Sequence, residues 1–265
     1  MPAQTILVFD SGLGGLTVFR DIATARPDAR IVYAADDAFF PYARKSEAEL
    51  VARVVPLIGA LIDRHRPDIV VIACNTASTL VLPHLREHFP LPFVGTVPAI
   101  KPACAASRSR LVSVLGTEAT VKREYTRALI RDFAQGCAVT LVGSAQLASL
   151  AEAALRAELV ADTAIAAEIA PCFVRHAGRK TDTVVLACTH YPLLLDRFER
   201  LAPWAVDWID PAPAIARRVV DLLGSAGPGR GAASAVFSSG RTPPGALADA
   251  LSRWGINEIL VADAI

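Results

Sequence analysis

The sequence predicts an α/β fold made of two pseudo-symmetric halves, each a doubly wound and mostly parallel sheet. Three observations carry this. Short apolar runs alternate with longer amphipathic stretches, as in strand–helix repeats. The short runs are continuously apolar and do not alternate in and out, which is how strands covered on both faces read. One strand-plus-cysteine segment occurs twice. Asp68-Ile-Val-Val-Ile-Ala-Cys74 is matched by Asp182-Thr-Val-Val-Leu-Ala-Cys188.

In chain order, the strand candidates are Thr5–Phe9, Arg30–Ala34, Ile69–Ala73, Phe93–Gly95, Leu111–Leu115, Ala138–Val142, Thr183–Ala187, Ala205–Ile209, Ala235–Phe237 and Ile259–Val261. The amphipathic stretches between them include Ser46–Arg66, Glu118–Phe133 and Leu147–His176, each read as helical. A weaker internal pair joins the Asp10-Ser11-Gly12 loop to Gly116-Thr117-Glu118. From Asp10 to Cys74 is 64 residues and from Thr117 to Cys188 is 71, so the two halves have similar length. The segment 224–231 is a glycine-rich surface loop, and the two strand–helix elements after it are too few for a domain. They are expected to return to the first half, giving a first domain of residues 1–97 plus 209–265 and a second of 98–208.

Composition narrows the function. Of 265 residues, 53% are hydrophobic and 20% charged, which excludes a disordered chain. With 27 basic and 26 acidic residues the net charge is +1, without the basic excess of a nucleic-acid binder. Mean hydropathy is +0.39. Even so, the longest uncharged stretch, the 19 residues Phe133–Ala151, is broken by glycines and polar residues and does not read as a membrane span. The start of the chain lacks the basic region of a signal peptide, so the expected compartment is the cytoplasm. The five cysteines are odd in number with no C-x-x-C pair, and free thiols are expected.

Cys74 and Cys188 are the first chemical candidates. Each ends a buried strand where a helix is expected to start, and a helix N-terminus favours an anion. Two such thiols facing one cleft could take a proton from one face of a carbon and return one to the other, as a cofactor-free racemase requires. Cys104, Cys137 and Cys172 read as ordinary buried residues. His190 lies two residues beyond Cys188, where an imidazole could assist proton transfer. No further ligands stand at metal spacing, so no metal is expected. The remaining histidines, His65, His84, His88 and His176, fall in helical segments and read as surface or helix-end residues. Asp10-Ser11-Gly12-Leu13-Gly14-Gly15 could be a dinucleotide loop with Asp36 or Asp37 as the ribose acid, but Thr17 occupies the third glycine position and Asp10 would oppose the pyrophosphate. A loop whose backbone and Ser11 hydroxyl approach a small substrate, with Asp10 for its ammonium or for proton transfer, fits better. Asn75, Thr76, Thr117, Thr120 and Thr189 are expected at helix starts, as caps or as ligands for a carboxylate. No lysine ends a strand where a pyridoxal Schiff base would form, so no cofactor is expected.

At these residues the sequence resembles the glutamate racemases of the aspartate/glutamate racemase superfamily. The matching segments are Phe9-Asp-Ser-Gly-Leu-Gly-Gly-Leu16, Phe40-Pro-Tyr42, Ala73-Cys-Asn-Thr-Ala-Ser78, Gly116-Thr-Glu-Ala-Thr-Val121 and Ala187-Cys-Thr-His-Tyr-Pro192. The resemblance implies two α/β domains with the site in the cleft between them, and Cys74 and Cys188 as acid–bases assisted by Asp10 and His190. It makes Glu152 the residue that orients the histidine. Ser11, Pro41, Tyr42, Ala43, Asn75, Thr76, Thr117, Thr120 and Thr189 become substrate contacts, with Asp10. It further implies a homodimer acting on glutamate without metal, cofactor, nucleic acid or membrane, and D-glutamate supplied to peptidoglycan, hence to cell-wall biogenesis and cell shape. The family's Gly-Asp-Thr is here Ala35-Asp36-Asp37, and its glycine after Pro-Tyr is Ala43. Alanine would be strained there if the position needs a positive φ.

Overall fold

Strands form where β-branched and aliphatic residues run together, and helices follow where the apolar period lengthens. The computed structural model describes residues 3–260; Met1, Pro2 and Val261–Ile265, and with them the last residue of the Ile259–Val261 strand and the outer ends of the expected first domain, lie outside the described residues. The elements run β1 (Thr5–Asp10), α1 (Leu16–Ala25), β2 (Arg30–Ala35), α2 (Glu47–His65), β3 (Ile69–Ile72), α3 (Asn75–His88), β4 (Phe93–Gly95), α4 (Ile100–Ala106), β5 (Leu111–Thr117), α5 (Glu118–Lys122), α6 (Glu124–Phe133), β6 (Ala138–Ser144), α7 (Leu147–Leu155) and α8 (Asp162–Ile169). There follow β7 (Arg175–His176), β8 (Arg179–Lys180), β9 (Thr183–Ala187), α9 (Leu195–Leu201), β10 (Asp207–Ile209), α10 (Ala212–Leu223), β11 (Ala233–Phe237), α11 (Gly245–Arg253) and β12 (Glu258–Leu260).

The chain divides into two compact units. One holds the residues through Thr96 together with those from Ala212 onward, and the other holds Val97–Pro211. The first contains a parallel sheet in the order β12-β11-β2-β1-β3-β4, and the second a parallel sheet in the order β10-β9-β5-β6. Reversed, the second order is β6-β5-β9-β10, which repeats β2-β1-β3-β4 strand for strand. The small pair β7–β8 is antiparallel.

Both sheets are apolar on both faces. In the first, Leu7, Phe9, Val70 and Ile72 pack under α2 and α3, while Ile6, Val8, Ile69 and Val71 between them are equally buried. In the second, Leu115, Val184 and Leu186 pack against α7, α8 and α9, whereas Val112, Val114, Val185 and Ala187 face α4 and α6. Helix α2 starts on a capping box, with Ser46 Oγ accepting from Glu49 N and Glu49 accepting from Ser46 N.

Several local features differ from what the sequence pattern predicts. The Glu118–Phe133 stretch is two helices, broken at Arg123, whose extended backbone caps α6. Leu147–His176 is also two helices, and His176 is an exposed strand residue. His65 is a helix-end residue, the last of α2, but it is buried, and its Nε2 meets no hydrogen-bond partner among the described residues. Burial and the nearby Arg30 and Arg64 cations push its pKa down. The Ala205–Ile209 strand begins only at Asp207. No helix among the described residues is long and apolar enough to cross a membrane.

The repeated aspartate does the same work in each unit. Asp68 accepts from Thr5 N at 2.7 Å, and its own N–H donates to Thr5 O. Asp182 accepts from Arg108 N at 2.8 Å, Ser109 N at 2.7 Å and Ser107 Oγ at 2.6 Å, and its N–H donates to Leu111 O. Each carboxylate thus pins the entry of the neighbouring strand. Burial raises the Asp182 pKa, but the bonds from Ser107 and Ser109 outweigh it and hold it at about 2. Its folded-state pKa is therefore depressed, so its contribution is full above the ordinary carboxylate value and lost as pH falls toward 2. Asp182→Ala should cost about 1–3 kcal/mol at neutral pH, because it strips backbone donors of their acceptor. Urea unfolding at pH 7 and pH 3 checks this, and an equal loss at both values would refute the assignment.

Candidate active site

In each unit the parallel register brings chemically capable residues to the carboxyl end of the sheet, where open α/β sheets place their sites. In the first unit Asp10 is level with Ala35, and Phe9 with Ile72, so Cys74 emerges just past the end of β3 beside the Asp10 loop. Asp10 is fully buried and accepts from Gly12 N at 3.1 Å. Gly15 is small for a reason: an added Cβ would lie 2.8 Å from Asp10 Cβ and 3.2 Å from Ala73 Cβ. Ser11, Tyr42, Cys74, Asn75 and Thr76 are all buried here.

Cys74 is the N-cap of α3, with Asn75 and Thr76 in its first turn. The Asn75 amide is 2% exposed, and neither its oxygen nor its nitrogen has a hydrogen-bond partner among the described residues. A buried amide without partners costs stability and is able to receive a polar group. Tyr42 donates to Asp36 at 2.7 Å. Its burial, followed by the charge of Asp36 and the proximity of Cys74 and Asp10, raises its pKa well above the ordinary value. Pro41 and Ala43 are half-buried beside it; Pro41 follows a cis peptide bond. Ala43 lies in a 3-10 turn, Tyr42–Arg44, and is not among the residues with positive φ, so alanine is unstrained.

Asp36 is fully buried and accepts from Arg53 Nη2 at 2.7 Å and Ser238 Oγ at 2.5 Å as well as from Tyr42. It is committed to these partners, which removes it as a ribose acid. Asp37, the residue in place of the family's threonine, accepts from Ser239 N and Oγ after β11. The pattern gave no sign of Arg53 or Ser238, because both reach Asp36 from far along the chain.

In the second unit Gly116 is level with Ala187, which sets Thr117 beside Cys188. Thr117 is the N-cap of α5 and accepts from Thr120 N at 3.2 Å, with the two hydroxyls 2.9 Å apart. Cys188 does not begin an α-helix, contrary to the sequence expectation. The turn Cys188-Thr189-His190 leads into a 3-10 turn, Tyr191–Leu194, and α9 starts only at Leu195. Thr189 is buried in that turn and is no α-helix cap. The proline at 192 and the short turn leave no full helical N-terminus at this sulfur.

An imidazole stands there instead. Cys188 Sγ lies 3.8 Å from His190 Nδ1, and His190 Nε2 lies 3.1 Å from Glu152 Oε1. Glu152 is 3% and His190 2% exposed. Burial pushes the His190 pKa down, but the bonds to Cys188 and Glu152 and their charges outweigh it and hold it well above the ordinary value. This arrangement can keep a proton next to the sulfur. Arg156 Nη2 donates to Glu152 Oε2 at 2.7 Å. The sequence carried a signal for it, the i,i+4 spacing on one helix. By contrast, burial pushes the Cys172 and Cys104 thiols up to about 12, as core residues. No metal-binding cluster occurs among the described residues.

Known proteins resemble the chain throughout. The Asp/Glu/Hydantoin racemase family model matches residues 14–219. A glutamate racemase of Mesorhizobium japonicum is 57% identical over 246 residues, covering 91% of this chain and 94% of that one. One from Brucella anthropi is 59% identical over 221 residues, covering 83% and 80%. The crystal structure of Escherichia coli glutamate racemase, in complex with L-glutamate and the activator UDP-MurNAc-Ala, superposes with a TM-score of 0.88 at 42% identity and covers 97% of each chain. The chain is therefore a member of the Asp/Glu/hydantoin racemase family, in its glutamate racemase branch of isomerases.

Proposed function

We propose that this chain interconverts L- and D-glutamate by two-base proton transfer, with Cys74 and Cys188 as the acid–base pair. The observation that carries the reading is the repeat itself. Two cysteines end equivalent strands of two sheets with the same strand order, and each stands beside a proton-handling group, Asp10 in one unit and His190 in the other. Thiols suit the work because their ordinary pKa, about 8.5, allows loading and unloading near neutrality.

One thiolate takes the α-proton of the bound enantiomer, and the electron pair stays on the α-carbon as a planar carbanion. The other thiol gives its proton to the opposite face. By family resemblance, Cys74 serves D-glutamate and Cys188 serves L-glutamate. Asp10 assists the first sulfur. His190, oriented by Glu152, assists the second. Asn75, Thr76, Thr117, Thr120 and Thr189, with Ser11, Pro41, Tyr42 and Ala43, hold the substrate's polar ends. Preorganised donors at helix starts stabilise the developing charge. The unsatisfied Asn75 amide supports this assignment directly, since a ligand polar group is what it lacks. The D-glutamate formed supplies peptidoglycan synthesis. Aspartate is the alternative substrate within the same chemistry. An amino-acid-binding protein without catalysis is the alternative outside it, and proton-handling groups in both units speak against that.

Circular dichroism of L-glutamate, incubated with the chain, reductant and chelator, should decay to zero while L-aspartate keeps its signal. Decay with aspartate alone would move the substrate, and a flat signal with both would end the racemase reading. Cys74→Ser and Cys188→Ser should each lower racemisation on the order of 10³-fold with the fold intact, since a hydroxyl is a far weaker acid. Full activity in the double serine variant would rule out the thiol pair. In deuterium oxide the wild type should place deuterium at the α-carbon of both enantiomers, whereas a binding protein leaves it unlabelled.

A further inference from the structure

The chain of contacts behind Cys188 does not stop at the glutamate. We infer that Arg156 is a positioning residue for the Cys188 side of the reaction, acting through Glu152 and His190; this rests on the racemase reading above. Arg156 Nη2 meets Glu152 Oε2 at 2.7 Å while Oε1 of the same carboxylate meets His190 Nε2 at 3.1 Å. The two carboxylate oxygens are thus divided between a cation and the imidazole, and the imidazole's other nitrogen faces the sulfur at 3.8 Å.

An i,i+4 pair on a helix is ordinarily a surface feature of little consequence. Here its two ends differ. The Arg156 side chain is 39% exposed, but that of Glu152 is 4% exposed. A carboxylate so buried is driven toward its neutral form unless an opposite charge opposes this, and a neutral carboxyl would hold the imidazole less firmly. Arg156 brings solvent-anchored positive charge to the buried oxygen and fixes which oxygen turns toward His190.

The other titratable groups around this carboxylate come from the elements packed against α7. Cys188, His190 and Tyr191 come from the end of β9 and the turn after it, and Glu168 comes from α8. Glu168 is engaged by Ser144 Oγ, and Asp162, the other acid of α8, pairs with Arg197 and Arg200. Arg156 adds a cation to the second oxygen of Glu152, beside the His190 imidazole on the first, so its removal should raise the pH at which Glu152 takes up a proton.

The test is the pH profile of kcat/KM for glutamate in the full chain, for wild type, Arg156→Gln and Arg156→Lys. Because the arginine is part-exposed, the glutamine variant should fold, which its melting temperature verifies. In Arg156→Gln the acid limb should move to higher pH by about 1 unit, the shift an adjacent cation gives a carboxylate. The rate should return toward wild type at pH 8.5, and the lysine variant should restore the original limb. An unshifted limb in Arg156→Gln, whether activity is unchanged or lowered uniformly at every pH, overturns the proposal and leaves the racemase reading standing. A wild type that does not racemise glutamate overturns both.

Discussion

The chemistry of this chain depends on parallel strand pairs whose register is fixed at one end so that side chains are placed at the other. Each sheet has an inner strand, β1 or β5, flanked by a neighbour, β3 or β9, that leads into a cysteine. An aspartate holds the entry of each pair: Asp68 on the backbone of Thr5, and Asp182 on the loop before Leu111. A parallel ladder that slips by one residue turns every side chain to the opposite face. Such a slip would bury Asp10 or Thr117 among aliphatic residues and carry the thiol away from its neighbours. The carboxylates far from the cysteines therefore help decide where the cysteines emerge.

That dependence explains why so much is legible in the sequence. The segment from Asp68 to Cys74 and its partner from Asp182 to Cys188 encode anchor, buried strand and exit residue in seven positions. The cysteine positions just past two strands follow from such local information, whereas the strand order is set by pairing between distant segments. The failures share a cause as well. Helix breaks at Arg123 and after Leu155 depend on backbone choices that the periodic pattern smooths over. The absence of an α-helix after Cys188 turns on a short turn whose conformation Pro192 allows. His65 stands at a helix end, as the sequence allows, and only tertiary packing decides that it is buried there.

Long-range polar partners were the least legible. Asp36 gathers Tyr42, Arg53 and Ser238, the last 202 residues away along the chain. Nothing local distinguishes that serine from its neighbours. The link from Glu152 to His190 spans 38 residues and came from family resemblance, not from spacing. Arg156 lies one helical turn from Glu152, yet an i,i+4 pair becomes informative only once the carboxylate is known to be buried.

The two halves are alike in topology and unlike in their proton-handling groups. A carboxylate stands by Cys74, and an imidazole backed by a carboxylate and a guanidinium stands by Cys188. It is tempting to read that asymmetry as a preference for one direction, but the thermodynamics forbids it. Enantiomers have equal free energies in water, so the equilibrium constant of racemisation is unity. The ratio of kcat/KM in the two directions must equal it in every variant. Helpers can change kcat/KM only by the same factor in both directions, whereas kcat and KM taken separately can differ between the two. The imidazole therefore need not match the strength of Asp10. On the proposed mechanism it need only bring the proton affinity of its sulfur near that of the other, because a large mismatch would hold the pair's single proton on one sulfur and leave the enzyme ready for one enantiomer alone.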